Sequence, residues 1–365
     1  MKIAVFSVAC CASISIAHAQ SSVTLYGLID GGLSYVTNAG GHAQVLENSG
    51  VLRNNRWGIM GQEDLGGGWK TVFILENGFT LENGALGQGG LEFGRRAYVG
   101  IGNDYGFVTL GRQYDLIVVD GADYSAAIYN TVYAFHQGDI DRLSGERVNS
   151  SIKFISNSFR GFSFGALYGF GDPGTPTNTG RTLSAGAHYQ NGSFTMGGAY
   201  TVVHNSVMPL ATFFGITRLF GQTIGTVNAT TGALTAVSVN ISKLQTSVLG
   251  ASWDWASWGV RGLVTDTKIS VFGNSGNYLT FEGTGVWRPT AALSLSAAYA
   301  LLRFEGQKYG EASATADYFL SKRTDVYAAV VNMRGYDGAR ADLLTLATSS
   351  SNAQSVFRVG IRHLF

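Results

Sequence analysis

The sequence predicts an all-β chain, a sixteen-stranded antiparallel transmembrane β-barrel built from residues 20–365. Three observations point there. The chain carries 50 glycines, only 4 prolines and 12% aromatic residues, a composition foreign to a soluble enzyme of 365 residues. No apolar run approaches the roughly 18 residues that a spanning helix needs. Segments of about ten residues with strict two-fold alternation recur from end to end, as membrane barrels require.

Met1 to Ala19 reads MKIAVFSVACCASISIAHA, a lysine followed by an apolar run and an Ala17-His18-Ala19 ending. This pattern is a secretory signal peptide with a small-residue cleavage site, leaving a mature chain from Gln20. The apolar run is too short for a membrane anchor, and Ser7 stands where a lipidation signal before Cys10 wants a branched aliphatic residue. Cys10 and Cys11 leave with the leader, so the mature protein has no thiol, disulfide or thiolate metal site. Losing Lys2 also balances the charge at 24 basic against 24 acidic residues, which argues against a nucleic-acid partner.

Alternation identifies the strands and their faces. Phe162, Phe164, Ala166, Tyr168 and Phe170 share one side of their segment, and Gly161, Ser163, Gly165, Leu167 and Gly169 the other. The same split puts Phe194, Met196, Gly198, Tyr200 and Val202 opposite Ser193, Thr195, Gly197, Ala199 and Thr201. Ala312, Ala314, Ala316, Tyr318 and Leu320 oppose Glu311, Ser313, Thr315 and Asp317. One face suits hydrocarbon and the other water; a soluble sandwich also alternates, but the repetition of ten-residue strands favours a barrel.

Segments of this kind fall at 23–37, 50–61, 69–81, 91–101, 106–114, 147–157, 161–171, 182–191, 193–204, 240–255, 258–271, 276–288, 291–304, 308–320, 323–334 and 354–365. Short turns are expected at 63–66, 158–161, 190–192 and 288–290, and longer outward connections at 38–49, 115–146, 172–181, 205–239 and 335–353. The apolar content of 205–239 leaves room there for a further hairpin. AYVGI and GFVTL flank Gly102-Asn103-Asp104 as a tight hairpin. The segment 115–146 that follows lacks alternation yet is rich in Tyr, Ile, Val and Phe. A loop of that length within a compact chain is disordered or functional, and its apolar content favours a folded one.

The last strand, Phe357-Arg358-Val359-Gly360-Ile361-Arg362-His363-Leu364-Phe365, alternates and stops on an aromatic residue. That ending is similar to the signal read by the outer-membrane assembly machinery, which makes Phe365 a candidate assembly residue.

SSVTLYGLIDGGLSYV after the cleavage site, RWGIMGQEDLGGGWKTVF at Arg56–Phe73, FGRRAYVG and VTLGRQYD around the hairpin, and the ending VGIRHLF together resemble the general-diffusion porins of Gram-negative outer membranes, especially the β-proteobacterial type. The resemblance spans the mature chain. It implies a homotrimer embedded in outer-membrane lipid and lipopolysaccharide, with a third extracellular loop, about 115–146, folded into the barrel as a constriction. It further implies a water-filled channel for passive diffusion of small hydrophilic solutes and ions, with no enzyme activity, cofactor or metal. The acidic PEFGG motif of the enteric relatives is absent.

By match to that family, Arg56, Arg95 and Arg147 point inward on the wall facing the loop. Alternation supports Arg147 together with Asn149, Ser151 and Lys153, making Lys153 a pore-lining residue, whereas Arg96 is inward instead of Arg95 if Ala97, Val99 and Ile101 face out. The opposing carboxylates come from Asp115, Asp120, Asp123, Asp139, Asp141 and Glu146, with Asp120 and Asp123 favoured by position. Three arginines against two acids give a weak anion preference.

Two other readings are weaker. Tyr124, Tyr129, Tyr133 and Phe135 keep open a channel specific for a sugar or organic anion, and His204-Asn205-Ser206 resembles the nucleophile and base of a membrane-embedded hydrolase. His42, His136, His188 and His363 have no metal-ligand spacing, and Trp69 interrupts Gly66-Gly67-Gly68-Trp69-Lys70-Thr71 as a phosphate loop.

Overall fold

The structure, a computed structural model, describes residues 21–172, 174–175 and 179–365; the leader expected over 1–19 lies outside the described residues. Its long strands form one closed antiparallel sheet. In order they are β1 (Ser22–Ala39), β2 (His42–Ser49 and Arg56–Gly66), β3 (Trp69–Gly78), β4 (Arg96–Asn103), β5 (Gly106–Tyr114), β6 (Arg147–Ser156), β7 (Phe162–Gly169) and β8 (Thr182–Asn191). The second half comprises β9 (Phe194–Met208), β10 (Val239–Trp255), β11 (Trp258–Val271), β12 (Asn274–Thr290), β13 (Leu293–Phe304), β14 (Gln307–Phe319), β15 (Thr324–Tyr336) and β16 (Ala353–Leu364). Each strand pairs with its sequence neighbour, and β1 meets β16 from Leu28↔Leu364 to Val36↔Val356. Closure leaves no unpaired strand edge in the hydrocarbon, where each unsatisfied backbone group costs several kcal/mol, about the price of losing a packed side chain.

Burial confirms the alternation. Ala312, Ala316, Tyr318 and Leu320 are exposed on the outside while Glu311, Ser313 and Thr315 are buried within. Phe162, Phe164, Leu249, Phe281, Leu301, Phe357, Val359 and Ile361 contribute to the apolar outer band. Trp253, Trp255, Trp258 and Trp287 cluster beside the short turns as an aromatic girdle, with the rings of Trp258 and Trp287 stacked at 5.3 Å.

Four expectations change. The outer stretch expected at 38–49 is a tight hairpin at Gly40-Gly41, so β2 begins at His42 and is interrupted at 50–55. Asp30 causes the break: its Oδ2 accepts from the backbone of Leu52 at 2.5 Å and Arg53 at 3.3 Å, pulling those residues off the ladder. Residues 79–81 and 91–95, read as strand ends, join 82–90 in a long outer loop. The turn expected at 102–104 shifts to Asp104-Tyr105, with Asn103 paired to Gly106. In the region 205–239, β9 extends to Met208 and a helical turn, Leu210–Phe214, precedes two small hairpins outside the barrel sheet, so the barrel count stays at sixteen.

Candidate functional site

The segment 115–146 starts as a short helix, α1 (Leu116–Gly121), capped by Asp115, whose side chain accepts from Val118 N at 3.3 Å. Asp115 also pairs with Arg142 at 2.9 Å, so the two ends of the segment are tied to one another. The helix turns Leu116, Ile117, Asp120 and Gly121 toward the barrel wall and leaves Val119 exposed. Glycines on the facing strands make this approach possible. A Cβ on Gly186 would lie 2.1 Å from Asp120 Oδ2, one on Gly197 2.1 Å from Asp120 O, and one on Gly250 2.4 Å from the Tyr124 ring.

Beyond α1 the segment is held by hydrogen bonds to the polar face of successive strands. Ser184 Oγ accepts from Leu116 N at 3.0 Å, Glu282 Oε1 from Ala126 N at 2.6 Å, and Ser296 Oγ donates to Tyr129 O at 2.7 Å. Tyr278 OH donates to Gln137 O at 3.0 Å, and Tyr133 OH meets Ser34 Oγ at 3.1 Å on β1. His136 is fully buried between Asp141 at 2.5 Å and Glu282 at 3.0 Å, and Thr265 donates to Asp141 at 2.8 Å. Burial opposes a proton on His136, but the two carboxylates prevail and raise its pKa well above the usual histidine range.

The opposite wall gathers cations. Across the inner face, Tyr26, Gly58, Glu76 and Arg96 lie in one register row. Glu76, buried at 1%, accepts from Tyr26 at 2.8 Å, Arg95 Nε at 2.9 Å and Arg96 Nη2 at 2.7 Å. Arg95 reaches onward to Tyr114 OH at 2.9 Å, and Arg147 Nη2 donates to the same hydroxyl at 3.1 Å. Arg56 donates to Asn54 O at 3.2 Å, and Lys153 Nζ to Tyr114 O at 3.1 Å. Arg95 Nη1, Arg96 Nε and Arg147 Nε have no protein acceptor among the described residues.

The expected residues therefore separate. Arg56, Arg95, Arg147 and Lys153 come together, and Arg96 joins them because Val99 and Ile101 do face out. Arg147 reaches the cluster despite a break in parity. Ser150 has φ +45° and the β5–β6 register shifts after Gly111, so Val148 lies buried on the inner side instead of outside. Asp123 is exposed and makes no salt bridge among the described residues, whereas Asp120 is turned to the wall, where burial pushes its carboxyl up to about 6 against the pull of Lys153. Asp120 departs from the lumenal position expected for it because α1 lies flat on glycine. Asp139 and Asp141 are taken up in anchoring, with Ser144 N donating to Asp139 at 2.9 Å, and Glu146 stays exposed at the segment's end.

Sequence reasoning missed Glu76 and Tyr114. Glu76 sits in VFILENG, where both faces of the strand are apolar and parity cannot be read. The aromatic ladder expected of a sugar channel is absent: Tyr124, Tyr133 and Phe135 are buried, and Tyr129 lies under Arg261 at 3.9 Å. Ser206 Oγ makes no hydrogen bond to His204 or any other described residue, which leaves the nucleophile reading without its base.

The profile of the Gram-negative porin family matches residues 4–338 of this chain. Outer membrane porin protein 32 of Delftia acidovorans is 28% identical over the full length of both chains. Among solved structures, the anion-selective porin from Comamonas acidovorans superposes with a TM-score of 0.78 at 23% identity, covering 95% of this chain and 100% of that one. An in-vitro folded outer membrane protein of Vibrio cholerae, in trimer form, superposes with a TM-score of 0.64 at 13% identity, covering 94% and 99%.

Proposed function

This chain belongs to the Gram-negative porin family, and from that membership we propose that residues 115–146 and the cluster of Arg56, Arg95, Arg96 and Arg147 form the selective constriction of its channel. The protein is an outer-membrane β-barrel through which small hydrophilic solutes and ions diffuse passively. Preference for anions is the reading the charges support. The single observation that carries it is the gathering of Arg56, Arg95, Arg96 and Arg147 on one wall, where Arg95 and Arg96 share the buried carboxylate of Glu76 and Arg147 meets Arg95 at Tyr114 OH, while the segment opposite exposes Asp123 alone among its central acids. The Comamonas neighbour, described as anion-selective, agrees with this sign.

The proposal extends to assembly. A leader over 1–19 is removed, Phe365 marks the last strand for the assembly machinery, and three copies associate within lipid and lipopolysaccharide, as the trimer form of the Vibrio neighbour suggests. Selectivity is tested by the zero-current potential of the purified channel across a KCl gradient. Chloride is expected to be favoured at low salt, since at about 0.1 M the screening length is roughly 10 Å, comparable with a lumen. Replacing Arg56 and Arg147 by Ala moves the potential toward cations. A wild-type channel clearly selective for potassium at low salt overturns the assignment, and crosslinking that yields only monomer in mild detergent removes the trimer.

A further inference from the structure

One row toward the short turns from the Glu76–Arg96 row, the inner wall changes character. Met60, Ile74 and Tyr98 lie side by side in register, followed by Val72 in the next row, and Phe107 and Ile155 pair in the row after that. These side chains line a cavity of about 520 Å³ that also includes Lys153. Apolar residues facing an aqueous lumen are stable when covered, and the hydrogen bonds of 115–146 go to β1, β8, β11, β12 and β13 and to the outer end of β2 around Asn48, Val51 and Arg53, and none of these partners lines the patch. Glycines at 100 and 111 place no side chain on this wall, so the apolar surface stays open to solutes.

We propose that this patch is a binding site, on the path of the channel, for small monocarboxylates with an apolar body of arylalkanoate size. The inference rests on the channel reading given above and names the solute class that the pore holds longest. The volume falls within the range of small-molecule sites, which combine apolar walls with a few polar groups. Charge selects the headgroup: Lys153 Nζ donates to a backbone carbonyl and has no carboxylate partner among the described residues, and Glu76 above it is already shared by Arg95 and Arg96. Sugars are less favoured beside Lys153 because the polar side chains nearest to it are spent on one another, with Thr109 donating to Gln113 at 2.6 Å and Gln113 Nε2 donating to Ser151 Oγ at 3.2 Å.

The test uses the purified full-length channel in a planar bilayer, with 3-phenylpropionate, acetate and 3-phenylpropanol added to the short-turn side. 3-Phenylpropionate is expected to reduce KCl conductance at a concentration about tenfold below that of acetate, the discrimination that burying an apolar ring provides. Met60→Ser and Ile74→Ser, made separately so that one folding failure does not remove the measurement, each raise the half-blocking concentration. Lys153→Gln abolishes the difference between the acid and the alcohol. Equal block by acetate, or block unchanged in both serine variants, overturns the site. Because conductance and zero-current potential without added solute are read from the same channels, such a result leaves the porin assignment standing, whereas absent conductance removes both.

Discussion

The ring of Phe365 occupies the place that a side chain at position 27 would take, since a Cβ on Gly27 would lie 2.1 Å from its Cζ. The two residues also exchange backbone hydrogen bonds, Gly27 N to Phe365 O at 3.0 Å and Phe365 N to Gly27 O at 3.1 Å. The last residue of the chain thus fastens the seam where β16 meets β1. Gly27→Val is expected to destabilise the folded barrel by about 1–3 kcal/mol through overpacking. Deleting Phe365 is expected to lower insertion into the outer membrane while secretion continues. Heat-modifiable mobility on gels reads both. Wild-type behaviour of Gly27→Val would show that Phe365 acts through recognition by the assembly machinery and not through its packing on the seam.

The barrel was legible in the sequence because the lipid face repeats at every second residue, and Glu311 to Leu320 illustrate how sharply. The segment 115–146 was legible by the absence of that repeat. What escaped was anything set by a third element. Gly165 and Gly197 read as an inner face suited to water, yet together with Gly186 they are the floor on which α1 and its neighbours rest. Asp120 accordingly turned to the wall, a contact that alternation within a strand cannot reveal. The bulge at Ser150 likewise arises from local backbone conformation and not from any pattern of polarity.

His136 is the test of how 115–146 is held. Removing a cation between two buried carboxylates leaves Asp141 and Glu282 uncompensated, a loss of about 3–5 kcal/mol for breaking a buried pair. His136→Ala is expected to detach this part of the segment, seen as frequent current fluctuations in single channels that the wild type lacks. Steady currents of wild-type amplitude would show that the remaining bonds, such as Tyr278 to Gln137 O, hold it alone.

Rising pH loosens the same region. Burial, then the neighbouring charges of Asp141 and Glu146, push Asp139 up to about 8. A carboxyl raised from about 3.9 in the unfolded chain contributes stability that is complete below that value and lost as pH rises through the folded one. Backbone hydrogen exchange over residues 137–145, corrected for intrinsic rates, is expected to accelerate progressively above about pH 4 and to level off above about pH 8. Asp139→Asn should flatten the profile. If the acceleration persists undiminished in Asp139→Asn, a different group is responsible.

Selectivity separates the two acids of α1 and its extension. Asp123 is exposed and has no ion-pair partner among the described residues, and in the proposed constriction its negative charge offsets part of the field of the cations gathered at Glu76. Asp120 lies buried against Gly186, and burial has raised its carboxyl to about 6, which reduces its charge near neutrality and places what remains behind the helix. Asp123→Asn is therefore expected to strengthen the chloride preference at low salt, and Asp120→Asn to leave the zero-current potential nearly unchanged at pH 6. The difference shrinks at about 1 M KCl, where the screening length falls to roughly 3 Å. Equal shifts from both variants would place Asp120 in the lumen after all, with α1 lifted from its glycine floor in the conducting state.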